Sequence, residues 1–399
     1  MDSEALAYLL GPQGRALLDE LTAESLSPDT RLATATRLRR HLEPGIAAAV
    51  MEMALLRQHA ARKFSRADCM FFTRDGLEQA TAEPVAIHRA GRYAAAGIAS
   101  VADLGCGIGG DALALAGTGA QVIAVDKEWS HVMLARENAA IYDVGEYVHP
   151  VLADLTELPA LAVGAFFFDP ARRTPTGPQL APGRRLHSVE EYRPPLSLIN
   201  AWRPRVSNGA VKVSPGIDYA ELPADVEAEF VSLDGEVREA ALWFGELRTG
   251  IARRATLLPG GHTLTDRDPD ESPVLPPRRY LYEPDGAVIR AHLVGQLAHL
   301  ISASRIDPQI AYLTTDTPQP TPFAKGYAID DYFPFQLKRL RSYLRERDVG
   351  NVTIKKRGSP LDVDELRQAL RLRGHHNRTL FLTQIMGQPT VLIGQPLDA

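Results

Sequence analysis

Cysteine is nearly absent. Only Cys69 and Cys106 occur in 399 residues, too few for a disulfide framework or an all-cysteine zinc site. Long apolar runs are missing as well: nothing approaches the roughly 18 uninterrupted apolar residues of a membrane span. The opening stretch MDSEALAYLLGPQ is acidic and lacks the basic-then-apolar layout of an export signal. These absences set the expectation of a cytoplasmic protein in a reducing setting, with no membrane partner. No large excess of one charge exists either, the net charge being −5, which argues against a protein that coats nucleic acid indiscriminately.

The charge that is present is unevenly placed. Twelve Lys or Arg and five acids lie between Gln336 and Arg378, a local charge of +7 against −12 for the remainder. That contrast predicts a basic face on an otherwise acidic body. Hydrophobic residues make up 45% and charged residues 23%, the composition of an ordinary globular chain long enough for two or three domains.

The periodicity changes along the chain. Residues 1–70 read as a helical domain, with Ala5, Leu9, Leu10, Leu17, Leu18 and Leu21 at helical spacing and Pro28 and Pro44 as punctuation. From about 100 to 245, short apolar runs at 101–104, 122–125, 148–152, 165–168 and 210–213 alternate with helical stretches. Apolar strands separated by helices give a parallel sheet covered on both faces. The runs 227–233 and 237–244 meet at Asp234-Gly235, a hairpin signal. The predicted fold is α/β, with a Rossmann-like core over 71–255. Residues 256–284, rich in Pro, Gly and charge, read as a linker or surface loops. A small α+β domain follows over 285–399, with helices at 288–301 and 337–347 and strands at 352–355, 380–385 and 390–393.

The core carries a ligand site in VADLGCGIGGDALALA. Asp103 ends a strand, Gly105, Gly107, Gly109 and Gly110 follow, and a helix begins near Asp111. Glycines let backbone approach a ligand closely, and a helix start favours an anionic group. Gly105, Gly107 and Gly110 also satisfy G-x-G-x-x-G, so the run alone does not separate S-adenosylmethionine from a nicotinamide dinucleotide. Asp126, about 20 residues on, ends the next strand where an acid accepts from ribose hydroxyls, with Lys127 beside it. Asp154, ahead of Leu155, is placed either to accept from an adenine amino group or to cap a helix. Asp169-Pro170 ends the fourth strand, followed by Arg172 and Arg173, each a candidate phosphate contact or surface ion-pair member.

Together DLGCGIGGD, Asp126, Asp154 and DPAR resemble the successive motifs of class I S-adenosylmethionine-dependent methyltransferases, and the sheet ending in a hairpin is similar to theirs. The resemblance implies the seven-stranded sheet of that class and S-adenosylmethionine as cofactor. Asp103 and the glycines would lie on its methionine part, Asp126 on the ribose, Asp154 on the adenine, and Asp169 and Pro170 at the transfer site. Upstream, Thr81-x-Glu83-x-Val85-Ala86-x-His88 resembles a stretch of trimethylguanosine synthase-like RNA methyltransferases that packs over cofactor and base; its other reading is a helix capped by Thr81. The domain over 285–399 resembles a THUMP-like domain, a likeness carried by KGYAIDDYFPFQLKRLRSYL and NVTIKKRGSPLDVDELRQALRLRG, which implies RNA, tRNA or rRNA, as partner. Lys355, Lys356 and Arg357 at a strand end, with Arg367, Arg371 and Arg378, then form a phosphate-facing surface, unless they make a solvated, salt-laced face.

Two departures bear on the chemistry. Related RNA amino-methyltransferases follow Asp-Pro with Pro and an aromatic, whereas here Ala171 and Arg172 follow. The stacking ring must then come from Phe71, Phe72, Tyr192 or Trp202, or be absent. Asp-Pro-x-Arg is also similar to 5-methyluridine enzymes, but Val213-Ser214-Pro215 lacks their cysteine nucleophile. The expected reaction is therefore direct methyl transfer to a base nitrogen. The alternatives are a protein or small-molecule methyltransferase, or a non-catalytic binding module. No metal site is expected, the adjacent His375 and His376 lacking further ligands.

Overall fold

The computed structural model describes residues 3–24, 26–159, 161–172, 188–270 and 272–397. The chain divides into two compact units, Met1–Glu227 with Glu239–Gly250, and Ala228–Arg238 with Ile251–Ala399.

The first unit opens with α1 (Ser3–Leu10), α2 (Pro12–Glu24), α3 (Pro28–Leu38) and α4 (Pro44–Ala60). Prolines stand in the first turn of α3 and α4, where the missing N–H has no partner to lose. Ser27 and Thr30 close a reciprocal capping box on α3. Two further helices follow, α5 (Arg74–Gln79) and α6 (Glu83–Ala95). The alternating core then runs through β1 (Ser100–Leu104), α7 (Gly110–Ala116), β2 (Gln121–Asp126), α8 (Trp129–Ile141), β3 (Val148–Leu152), β4 (Ala165–Phe168), α9 (Ile199–Trp202) and β5 (Gly209–Val213). Next come β6 (Glu227–Leu233) and β7 (Glu236–Phe244), joined by Asp234 and Gly235, both at positive φ as a tight hairpin turn demands.

In this unit the strand order is β3-β2-β1-β4-β5-β7, all parallel except β7, which runs antiparallel to β5. After β3 the chain returns to place β4 beside β1, so the order reverses between those two strands. A crevice opens at the carboxyl ends of strands where the order reverses, and Asp103 pairs in register with Phe167 and Leu104 with Phe168. The core is anchored by Phe166, Phe167 and Phe168, each at most 2% exposed, and full burial of one such side chain contributes roughly 1.5–3 kcal/mol.

The second unit holds β6 and the start of β7, with β8 (Arg253–Leu258) parallel to β6 and β9 (His262–Thr265) antiparallel to β8. Then come β10 (Tyr280–Pro284), α10 (Gly286–Arg290), α11 (Val294–Leu300), β11 (Ser304–Arg305), β12 (Leu313–Thr315), β13 (Ala324–Pro334), α12 (Leu337–Glu346), β14 (Val349–Lys356), α13 (Val363–Leu370), β15 (His376–Ile385) and β16 (Gln388–Pro396). Seven of these strands form a sheet in the order β11-β12-β10-β13-β16-β15-β14. Leu340 and Leu344 of α12 and Leu366 and Leu370 of α13 pack with Leu380, Leu382, Val391 and Ile393. Phe381 and Leu392 join Tyr312, Tyr327 and Leu281 in a separate cluster, as period-two alternation requires.

Two expectations need correction, and one strand went unread. The stretch 256–284 is not a linker alone: it holds half of β8, all of β9 and β10, and Thr256 is fully buried against Glu229 at 2.5 Å. Its strands are short and lie between Pro and Gly clusters, which masked the pattern. Residues 288–301 are not one helix, because His292 takes a left-handed φ of 56° and separates α10 from α11. Finally, β13 spans 11 residues over AKGYAIDDYFP, where two aspartates and a proline hid a strand.

Candidate functional site

At the end of β1 the Asp103 carboxylate is 1% exposed, and neither of its oxygens has a hydrogen-bond partner among the described residues. Burial, with the charge of Asp169 adding to it, pushes its carboxyl up to about 7. The glycine turn that follows is pinned to β2, since Gly105 and Cys106 both donate their N–H to the Val125 carbonyl, at 2.9 and 3.0 Å. Gly105 has φ +87°, and a Cβ there would come 2.9 Å from the Asp169 carbonyl oxygen. Gly109, at φ +89°, would press a Cβ to 3.1 Å from Ala135 of α8. No other residue type lets the turn lie this close to both neighbours. Burial also raises the Cys106 thiol well above its usual value, so no thiolate nucleophile stands on this loop.

Asp126 ends β2 and closes the far side of the turn. One oxygen accepts the Gly107 N–H at 2.9 Å and the other the Glu128 N–H at 2.9 Å. Burial alone would raise its carboxyl, but the hydrogen bond and charge of His131, with those two N–H groups, hold it below 3.8. His131 reaches Asp126 at 3.4 Å through Nδ1 and the Thr73 hydroxyl at 3.4 Å through Nε2. Lys127 is exposed beside it. Trp129 opens α8 at 46% exposure and Leu152, in register with Asp126, is 53% exposed, so two large apolar surfaces flank this end of the sheet. Asp154 is exposed, and its Oδ1 accepts both the N–H and the hydroxyl of Thr156, at 2.8 and 2.7 Å. It thus makes the local turn, with Leu155 buried beneath it.

Asp169 emerges from β4 next to Gly105, its own N–H donating to the Leu104 carbonyl at 3.1 Å. Lys212 of β5, 3% exposed, donates to Asp169 Oδ2 at 2.6 Å and to the Thr81 hydroxyl at 3.0 Å. Thr81 in turn donates to Asp111 Oδ2 at 2.8 Å. Arg89 donates to Asp111 and to Glu239, with its guanidinium 4.3 Å above the Phe167 ring. Behind the turn, the buried Asn138 side chain donates to the Phe71 and Ile108 carbonyls, each at 3.0 Å, and accepts the Phe71 N–H at 2.8 Å.

The candidates from sequence thus fare differently. Asp103, Gly105, Gly107, Gly109, Asp126, Asp169 and Pro170 come together at the carboxyl ends of β1, β2 and β4. Thr81 joins them, though not as a helix cap: Ala82 is the N-cap of α6 and carries no side-chain bond. Glu83 instead accepts from the Ser65 hydroxyl at 2.9 Å, and His88 is half-buried on α6. Phe71, Phe72 and Trp202 are core side chains at 4% exposure or less, so they offer no stacking face. Tyr192 is also buried, its hydroxyl accepting the Ser214 N–H at 3.3 Å. Arg172 is half-buried beside the bridge that pairs Ala171 with Arg193, and Arg173 lies outside the described residues. Lys212, Arg89, Asp111, Glu239 and Asn138 were missed as site residues. Lys212 had a signal, a lone cation inside the apolar run GAVKV.

In the second unit, alternation splits the basic strand end. Lys355 is ion-paired with Glu283 and Arg357 stacks on Tyr312 at 5.3 Å. Lys356 points to the other face and donates to the Leu361 carbonyl at 3.0 Å. The three do not form one phosphate-facing row. Lys338, Arg339 and Arg345 on α12 are exposed.

A parallel sheet with a glycine turn at its point of reversal, an acid at the second strand end and an orphaned buried carboxylate define a nucleoside-cofactor protein of the Rossmann-like class. Family models match three segments: an RNA cap guanine-N2 methyltransferase over residues 98–190, a THUMP domain-like module over 324–396, and a domain of unknown function over 2–60. Uncharacterized S-adenosylmethionine-dependent methyltransferases from two strains of Mycobacterium tuberculosis are 35% identical over 353 residues, covering 84% of this chain and 92% of theirs. A putative methyltransferase from Porphyromonas gingivalis, 19% identical, shares the fold over 100% of both chains with a TM-score of 0.73. The chain belongs to the S-adenosylmethionine-dependent methyltransferases, and S-adenosylmethionine is its cofactor.

Proposed function

We propose that this enzyme methylates a base nitrogen of structured RNA, tRNA or rRNA, at the tip of β4. The observation that carries the reading is the contact of the two functional loops, where Gly105 leaves its Cβ position 2.9 Å from the carbonyl of Asp169. The residues fit the cofactor. Asp103, buried and without a partner, suits the positive charge of its methionine part, which compensates a buried carboxylate. Asp126 would hold the ribose, Trp129 and Leu152 would offer apolar surface to the adenine, and Asp154 would keep Oδ2 for the amino group. Bound, the cofactor supplies an electrophilic methyl on a sulfonium.

Catalysis is then chiefly orientation. Asp169 accepts a hydrogen bond from the nucleophile through Oδ1, and backbone at Pro170 aligns it. The bound cofactor would give that methyl to the nitrogen lone pair and would keep the electrons of its sulfur–carbon bond. The nucleophile's proton departs along its bond to Asp169 and on to solvent. Arg172 would hold a phosphate of the substrate. The RNA assignment draws support from the two matched modules and from the +7 charge over Gln336 to Arg378.

The test compares modified nucleosides, by mass spectrometry, in tRNA and rRNA from cells with and without the protein. One methylated nucleoside should vanish without it and return on adding wild type but not Asp169→Ala. Identical nucleoside profiles, with label passing to protein or small molecules, would overturn the RNA assignment.

A further inference from the structure

The reaction as read leaves the buried cation beside Asp169 without a role. Lys212 lies inside β5 at 3% exposure, where an unpaired ammonium would cost several kcal/mol. Its three hydrogens meet three acceptors: Asp169 Oδ2 at 2.6 Å, the Thr81 hydroxyl at 3.0 Å and the Gln79 carbonyl at 3.4 Å. Because Thr81 gives its own hydrogen to Asp111 at 2.8 Å, its oxygen can only accept from Lys212. Asp111 is held from its other oxygen by Arg89, which Glu239 holds in turn. Alternating charges on α6, α7, β5 and β7 therefore fix where the ammonium sits.

We propose that Lys212 is a positioning residue for methyl transfer, holding Asp169 by Oδ2 so that Oδ1 alone faces the nucleophile. The proposal rests on the reading of Asp169 as the acceptor at the transfer site. Asp169 needs such a clamp, since its side chain is 20% exposed at a strand tip and no other side-chain bond holds it among the described contacts. A fold-only role is a weak explanation, because an apolar side chain of similar volume usually replaces a buried ion pair without loss of stability. Lys212 makes and breaks no bond in the transfer; it sets the direction in which the carboxylate accepts.

The test uses Lys212→Met, Thr81→Val and Asp169→Asn in the full chain, with radiolabelled S-adenosylmethionine and total RNA from cells lacking the protein. Lys212→Met should lower kcat by about tenfold or more while cofactor Kd stays within about twofold. The loss should disappear in the Asp169→Asn background, since residues acting through one another are not additive. Thr81→Val keeps every charge and should give a smaller loss of the same kind, which also covers a Lys212→Met protein that does not fold. Additive losses, or a cofactor Kd that rises as far as kcat falls, would overturn the proposal. A readout free of RNA is the carbon-13 resonance of the Asp169 carboxyl, assigned by its absence in Asp169→Asn. Its chemical shift should move in both Lys212→Met and Thr81→Val, because the Oδ2 bond that it reports is lost or reoriented; an unmoved resonance in both would overturn the proposal. If that shift appears while no RNA is labelled, the RNA reading fails and the role of Lys212 at Asp169 stands.

Discussion

The carboxylate of Asp126 spans the glycine turn, one oxygen on the N–H of Gly107 and the other on the N–H of Glu128, each at 2.9 Å. His131 adds a charge partner, and its imidazole is raised above 6.5 because the bond to Asp126 outweighs the effect of burial. Lowered in the folded state, the carboxylate contributes stability above 3.8 that is lost as pH falls through its folded value. The raised imidazole contributes below 6.5 and loses that contribution as pH climbs through its folded value. His131→Gln should therefore cost about 1–2 kcal/mol near pH 5–6, with the gap to wild type closing in alkaline buffer. Thermal unfolding followed across pH checks this, and a gap that is constant with pH removes the ion pair as its cause.

Asp103 predicts a trade of stability for binding. Folded, its carboxyl ionises at about 7 against 3.8 for the free group, so between those values the folded chain holds a proton that the unfolded chain has released. Stability then falls as pH rises across that window. Asp103→Asn should stabilise the cofactor-free protein at pH 8 by roughly 1–3 kcal/mol and weaken cofactor binding about tenfold or more. Unfolding scans and calorimetric titration at pH 8 measure both. A variant neither stabilised nor weakened would show that this carboxylate is paired in solution.

The cofactor turn was legible because its requirements are local: an acid at a strand end, glycines at the tight turn and a helix start all fall within DLGCGIGGD. Asp126 and Asp169 were legible because each ends an apolar run. Lys212 and Asn138 were not, since their partners lie 131 and 67 residues away along the chain, at Thr81 and Phe71, and nothing local marks such pairs. The basic run after Val352 misled for the opposite reason. Adjacent residues in a strand point to opposite faces, and the acid that neutralises Lys355 comes from Glu283, 72 residues earlier. Charge counted along the chain exposes neither effect.

Gly105 offers a test of the packing between the two loops. A methyl group there would enter the space taken by the Asp169 carbonyl, on a residue already at φ +87°. Gly105→Ala combines backbone strain of roughly 1–3 kcal/mol with a forced separation of the turn from the β4 tip. Methyl transfer should fall below detection and cofactor affinity by about tenfold or more, while circular dichroism stays that of a folded chain. Retained transfer would mean that the two loops do not meet during the reaction.

On the proposed RNA reading, exposed cations on α12 should govern RNA affinity through salt. Lys338 and Arg345 are exposed, whereas Lys355 is tied to Glu283 and Lys356 to the Leu361 carbonyl. A cation that displaces counterions from phosphate steepens the dependence of log Kd on log salt by about one unit. Lys338→Ala and Arg345→Ala should each flatten that slope by about one and weaken binding of total tRNA at low salt. Lys355→Ala should leave the slope nearly unchanged and instead lower stability, because it strands Glu283 half-buried without its partner. Equal slopes for all three variants would place the RNA on another face.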